Sequence, residues 1–211
     1  MMMKKNKQRT NTARGLMVGR FQPFHNGHLH LAKQILKDCD ELIIAIGSAQ
    51  FNYIDKDPFT AGERVLMIHA ALASEPNDID LGKCYIIPIV NDENNASWFG
   101  HIKSMVPPFH VLYTGNEFVA SLAERDVEIK KPSFLKKEEY NGTNIRKQMA
   151  AAAAARTMQQ QDNNQQQQEQ QQKQQNWRNL VPNAVCTIIE EIDGVKRIEM
   201  LLGSDSYPQQ W

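Results

Sequence analysis

The stretch Glu41-Leu42-Ile43-Ile44-Ala45-Ile46-Gly47 holds five apolar residues in an unbroken row. A strand with one face in water alternates apolar and polar residues. A strand that does not alternate is covered on both faces, as in a parallel sheet held between helices. Gly15-Leu16-Met17-Val18, Cys84 to Val90 and His110 to Gly115 are runs of the same kind, and Val127-Glu128-Ile129 is a shorter one. Pro88 is tolerated near a strand end or on a sheet edge. Between these runs the apolar residues take helical spacing: Leu31, Ala32, Ile35, Leu36 and Cys39; then Ala61, Val65, Ile68 and Leu72; then Phe118, Val119 and Leu122. Strand and helix therefore alternate, which defines an α/β chain with a doubly wound parallel sheet and its ligand at the carboxyl ends of the strands.

With 211 residues the chain has room for one domain and an appendage. Lys and Arg balance Asp and Glu at 24 each, so no overall field recruits nucleic acid or an anionic membrane, and any phosphate must be held locally. The three cysteines, Cys39, Cys84 and Cys186, are far apart and set in apolar surroundings, which reads as reduced thiols of a cytosolic protein. No apolar run approaches the ~20 residues of a membrane span. Residues 1–13 read as a disordered basic leader without the apolar core of a secretory signal, with an organelle address as the alternative. Residues 14–149 hold the alternating pattern. Residues 150–175 are an alanine and glutamine tract: alanine can extend the preceding helix, whereas the glutamines offer no apolar stripe, and the tract is expected to be a solvated insertion. In residues 176–211, Ala184, Val185, Ile188, Ile189 and Ile192 make an amphipathic helix, and Ile198, Leu201 and Leu202 a last short one. Both are expected to pack on the same domain or on a neighbouring subunit.

The first strand empties into Gly19-Arg-Phe-Gln-Pro-Phe-His-Asn-Gly-His28, which opens the first helix with Asn26 as N-cap candidate. A helix N-terminus offers free N–H groups and a positive dipole end to an anion. Arg20, His25 and His28 are donors that can point at the same anion. Taken alone, the histidine pair also suits metal ligation or helix capping, although zinc needs further ligands that do not accompany it. Thr60 with Glu63 forms a capping box that puts Arg64 in a first helical turn, either as a surface arginine or as a phosphate partner. Thr143 and Arg146 stand one turn apart at another helix start. Trp98 sits in the polar company of Asn91 to Ser97, so its ring either lids an apolar patch or stacks on a planar ligand. Gly115-Asn116 ends a strand where a ligand can approach the backbone, and an adenine edge could be read there. Neither a Walker A loop nor a Gly-x-Gly-x-x-Gly fingerprint occurs.

Taken together, the string Gly19 to His28, the string Pro-Phe-Thr-Ala-Gly-Glu-Arg from Pro58, the pair Asn95 and Trp98, and Asn-Gly-Thr-Asn-Ile-Arg from Asn141 resemble the archaeal-type nicotinamide-mononucleotide adenylyltransferases. These belong to the nucleotidylyltransferase superfamily with its His-x-Gly-His motif. The likeness covers residues 14–149 and 176–202 and departs from the family where Asn91-Asp92 stands in place of Asp followed by an apolar residue. It implies a Rossmann-like fold and an enzyme that joins ATP and nicotinamide mononucleotide to give NAD and pyrophosphate by direct in-line attack. It also implies magnesium carried mainly by the ATP phosphates, without protein ligands, and a cytoplasmic homo-oligomer. By resemblance, His25, His28 and Arg146 are catalytic. Gly19, Arg20, Phe21, Gln22, Pro23, Arg64, Gly115, Asn116 and Thr143 bind ATP, and Ser48, Asn95 and Trp98 bind the mononucleotide. The alternatives are another phosphate acceptor, such as pantetheine phosphate, and a nucleotide-binding sensor without turnover. Asn95 and Trp98 favour nicotinamide, and the complete His motif with Arg146 favours turnover.

Overall fold

The computed structural model describes residues 12–92, 94–133, 138–159 and 177–203, excepting the side chains of 154–159. The leader lies outside these residues except for its last two, and so do the glutamine tract from residue 160 and the chain end. The element order is β1 (Arg14–Gly19), α1 (Asn26–Asp38), β2 (Glu41–Ile46), α2 (Ala61–Ala73), β3 (Cys84–Pro88), α3 (Trp98–Met105), β4 (Val111–Tyr113), α4 (Glu117–Ala123) and β5 (Glu128–Lys130). After these come α5 (Gly142–Gln159), a short 3-10 turn at Trp177–Leu180, α6 (Asn183–Glu191) and α7 (Gly194–Gly203).

All neighbouring strands pair in parallel, in the order β3-β2-β1-β4-β5. The chain steps outward from β1 to β3 and returns across β1 to β4, so the order reverses beside β1, where open α/β sheets bind ligands. β2 is covered on both faces: Leu42, Ile44 and Ile46 belong to one buried cluster, Ile43 and Ala45 to the other. The larger cluster brings in Leu29, Ala32 and Ile35 from α1, Met67, Ile68, Ala71 and Leu72 from α2, and Ile145 and Met149 from α5. Phe99 and Ile102 of α3 and Ala123 of α4 cover the other face. Pro88 ends the edge strand β3, where a missing N–H costs least. Phe118 is exposed rather than packed. No disulfide joins the three cysteines.

The C-terminal helices pack back on this same body. Trp177, Val185, Ile189 and Ile198 are buried in the larger cluster, α6 lies against α2, and α7 lies against α5. The alanine run does not leave the fold at residue 150. It continues α5, and Ala152 and Ala153 are buried, because alanine keeps the helix and is small enough to sit against α7. Among the described residues no helix is long and apolar enough to cross a membrane.

Candidate active site

The turn after β1 is built around two phenylalanines. Phe21 takes a left-handed backbone (φ 52°), and both Phe21 and Phe24 are buried against the ring of His28, at 4.8 and 5.3 Å between centroids. Burial of these rings offsets the cost of the unusual backbone. α1 begins one residue earlier than Asn26 would have it, because His25 is the N-cap. The His25 carbonyl accepts from the His28 and Leu29 N–H groups, and the His25 N–H donates to His28 Nδ1 at 3.2 Å. His28 thus plays the part that Glu plays in a capping box. Asn26 is left to donate its amide to the carbonyl of Asn179, tying α1 to the C-terminal segment.

With Nδ1 of His28 accepting, its proton sits on Nε2. The two imidazoles stack at 3.5 Å with 19° between planes. His25 is buried, and its Nδ1 has no hydrogen-bond partner among the described residues. Burial lowers the His25 pKa to about 3, and burial together with the neighbouring His25 holds His28 well below the ordinary imidazole range. Both rings are neutral near pH 7, and each can donate one N–H without carrying a charge into the cleft.

α5 closes the cleft from the opposite side. A Cβ on Gly142 would stand 2.9 Å from the Gln22 carbonyl, so only glycine lets the start of α5 approach the turn so closely. Gly27, the glycine between the two histidines, is just as confined, since a Cβ there would meet Tyr140 at 3.0 Å and the His25 ring at 3.2 Å. Arg146 donates from Nη1 to the Gln22 carbonyl at 2.8 Å, and its Nη2 lies 3.5 Å from Thr143 Oγ1. Burial and the nearby Arg20 press the Arg146 pKa downward. Arg20 is half exposed, 3.5 Å from Asp57. Arg20, Phe21, Gln22, His25, His28, Thr143 and Arg146 thereby line one cleft of about 610 Å³, with Leu31, Pro132, Ser133 and Tyr140 along its walls. Tyr140 was not among the expected site residues, yet its ring runs parallel to His25 at 6.5 Å. Its position just before Asn141-Gly142 was the available signal.

Residues 16–148 match the cytidylyltransferase-like family model. A nicotinamide-nucleotide adenylyltransferase of Caldivirga maquilingensis is 43% identical over 94% of this chain and 99% of its own length. One from Pyrobaculum arsenaticum is 41% identical over the same shares. The chain belongs to the nicotinamide-nucleotide adenylyltransferase family. The fold agrees with solved structures of low identity. A bifunctional NMN adenylyltransferase/ADP ribose pyrophosphatase from Francisella tularensis superposes with TM-score 0.56 at 18% identity, over 93% of this chain and 58% of that one. A Plasmodium falciparum nicotinic acid mononucleotide adenylyltransferase gives 0.55 at 10% identity, over 88% and 98%.

Within this member of the nicotinamide-nucleotide adenylyltransferase family, Arg64 does not face the cleft. It is fully buried and its guanidinium is spent on carbonyls: Thr60 at 3.2 Å, Arg20 at 3.0 Å, Gly47 at 2.9 Å and Ser48 at 3.1 Å. An arginine in a first helical turn faces its own helix dipole. Here the residue expected at ATP satisfies backbone oxygens where β1 and β2 end and ties those strand ends together. The Gln22 side chain is likewise committed, donating to the Phe59 carbonyl at 2.9 Å and accepting from the Phe59 N–H at 3.0 Å.

The residues expected at the mononucleotide end follow the neighbouring strands and do not line the 610 Å³ cleft. Ser48 follows β2 with φ 54° and is buried; Asn91 accepts from its N–H and donates to its hydroxyl, both at 3.0 Å. Asn95 is exposed, and Trp98 opens α3 with part of its ring on the apolar patch under that helix. Gly115 and Asn116 are exposed beyond β4, where the Asn116 carbonyl oxygen of the side chain caps α4 through the Phe118 and Val119 N–H groups.

Proposed function

We propose that this cleft catalyses attack of the 5′-phosphate of nicotinamide mononucleotide on the α-phosphorus of ATP, giving NAD and pyrophosphate. The observation that carries this reading is the stacked, neutral His25–His28 pair at a helix N-terminus, facing Arg146 across a cleft that Arg20 also lines. The reaction needs no enzyme nucleophile, because the acceptor phosphate is one. What it needs is in-line positioning and donors for charge that develops on the phosphate oxygens. His28 Nε2–H and the His25 ring donate to those oxygens. Arg20 and Arg146 neutralise the triphosphate, and Thr143 with the backbone from Gly19 to Pro23 shapes its seat.

Triphosphate charge beside the imidazoles also raises their pKa, so binding draws protons toward the site where negative charge is greatest. Among the described residues no group of His, Cys, Asp and Glu is built to hold a metal. The donors of the cleft suit phosphate oxygens, and magnesium arriving with ATP would bridge and neutralise those oxygens. Asn95, Trp98 and Ser48 take the mononucleotide, with Trp98 stacking on its cationic ring. Asn116 and Gly115 lie apart from the cleft, and an adenine contact by Asn116 would use its amide N–H₂ group. We place the enzyme in the cytosol, where its thiols stay reduced. Leu66, Met200 and Leu202 expose apolar surface through which copies can associate.

The test is incubation with ATP, magnesium and a panel of acceptor phosphates, with separation of products. NAD and pyrophosphate in equal amounts are expected. Folded protein that makes neither overturns the reading, and product from pantetheine phosphate alone reassigns the acceptor. Trp98→Ala should weaken the mononucleotide by about 1–2 kcal/mol without changing ATP affinity, the scale of a desolvated cation–π contact.

A further inference from the structure

α7 reaches the loop before α2 through Arg197. Arg197 forks onto the Glu63 carboxylate at 2.7 and 2.8 Å and donates to the Pro58 carbonyl at 3.2 Å. The guanidinium also lies over the rings of Tyr53 (4.6 Å) and Phe59 (5.9 Å). One helical turn before it, Gly194 packs so tightly on Phe59 that a Cβ would stand 2.9 Å from the ring. The partners of this fork lead straight to the histidine turn. Glu63 accepts the Thr60 N–H and so holds the start of α2, and the next residue, Arg64, ties the ends of β1 and β2. Phe59 is gripped on both backbone groups by Gln22, three residues before His25. Gln22 in turn offers its carbonyl to Arg146.

We propose that Arg197 is a positioning residue for adenylyl transfer: from outside the cleft it fixes the 58–63 loop, and through Phe59 and Gln22 it sets where His25, His28 and Arg146 stand. This rests on the catalytic reading of the cleft. It gives the segment after the insertion a part in the reaction, and it explains why a bidentate arginine stands there. A single ammonium cannot hold both carboxylate oxygens and the Pro58 carbonyl in one plane.

The test compares Arg197→Met and Arg197→Lys with Lys196→Ala, a neighbour outside the chain of contacts. Each full-length protein is first shown to be folded by circular dichroism. Arg197→Met should lower kcat about tenfold or more, within the scale of a sub-ångström to 1 Å misplacement. The KM for the mononucleotide should stay close to that of the wild type. Arg197→Lys, which keeps the charge but loses the fork, should recover little, and Lys196→Ala should match wild type. A second readout does not depend on turnover. In proton NMR titrations of folded Arg197→Met, the His25 and His28 signals should titrate closer to the ordinary imidazole range than in wild type, because a loosened turn admits water. If both histidines titrate as in wild type and kcat is unchanged, the proposal is overturned. If wild type itself makes no NAD, the catalytic reading fails, and the titration alone still decides whether Arg197 sets the turn.

Discussion

The starts of α2 and α5 carry one arginine each, the fourth residue of one helix and the fifth of the other, and the two have opposite fates. Arg64 is wholly buried and gives its donors to four backbone carbonyls. Arg146 is 7% exposed, gives one short bond to the Gln22 carbonyl and a long one to Thr143 Oγ1, and lines the cleft. The difference lies in what each helix start meets. α2 abuts the ends of two strands, whose outgoing carbonyls lack ladder partners and would be costly to bury unpaired. α5 meets only the turn, across Gly142. One arginine therefore ties the frame together and the other lines the cleft, although both stand near a helix start.

Replacing Arg64 by Met gives the largest expected effect. It takes the donor from the Arg20 and Gly47 carbonyls, while those of Thr60 and Ser48 keep backbone donors, and at about 1–3 kcal/mol each a loss of about 2 kcal/mol or more is expected in urea unfolding. ATP affinity of the folded fraction should be near normal. A stable Arg64→Met protein with weak ATP binding would instead make Arg64 a phosphate ligand. Arg146→Met should show the inverse: about a hundredfold lower kcat, the scale of one lost transition-state donor, with roughly 1 kcal/mol of stability lost. Comparable activity in the two variants would abolish the distinction.

A third way to sharpen it uses pH. His25 and His28 have folded pKa values below those of the unfolded chain, so the unfolded state binds protons first as pH falls through 6.5. Stability should therefore drop as pH falls from about 6.5, for His25 until pH nears its folded value of about 3, by up to about 1.4 kcal/mol per pH unit for each histidine. ATP should flatten this slope by raising both pKa values. His25→Gln should remove one histidine's share, and an unchanged slope in that variant would mean that His25 titrates normally. The smallest effect belongs to Thr60→Ala, which removes the α2 cap and should cost about 1 kcal/mol. Turnover at saturating substrate should remain close to wild type, because the Thr60 N–H still meets Glu63 and the Phe59–Gln22 pair is untouched.

The alternation of continuous apolar runs with helical spacing was enough to read the parallel sheet, because a strand covered on both faces cannot carry polar residues. The Thr60–Glu63 box was legible for a similar reason: its two bonds join residues three apart, and that local geometry is the same in any fold. The turn from Gly19 to His28 could be read as a group of donors because Arg20, His25 and His28 are crowded into ten residues, and all three line the cleft. The role of Arg64 was not legible, since it depends on carbonyls 16, 17 and 44 residues away. Alanine's helix propensity allowed α5 to run on past residue 149, but the burial of Ala152 and Ala153 was not legible, because it depends on α7 returning to lie against that helix. Local spacing determined which elements form and which residues could carry phosphate chemistry. Long-range packing decided which of those residues were left free to do so, because a buried donor must satisfy whatever acceptors the folded chain brings to it.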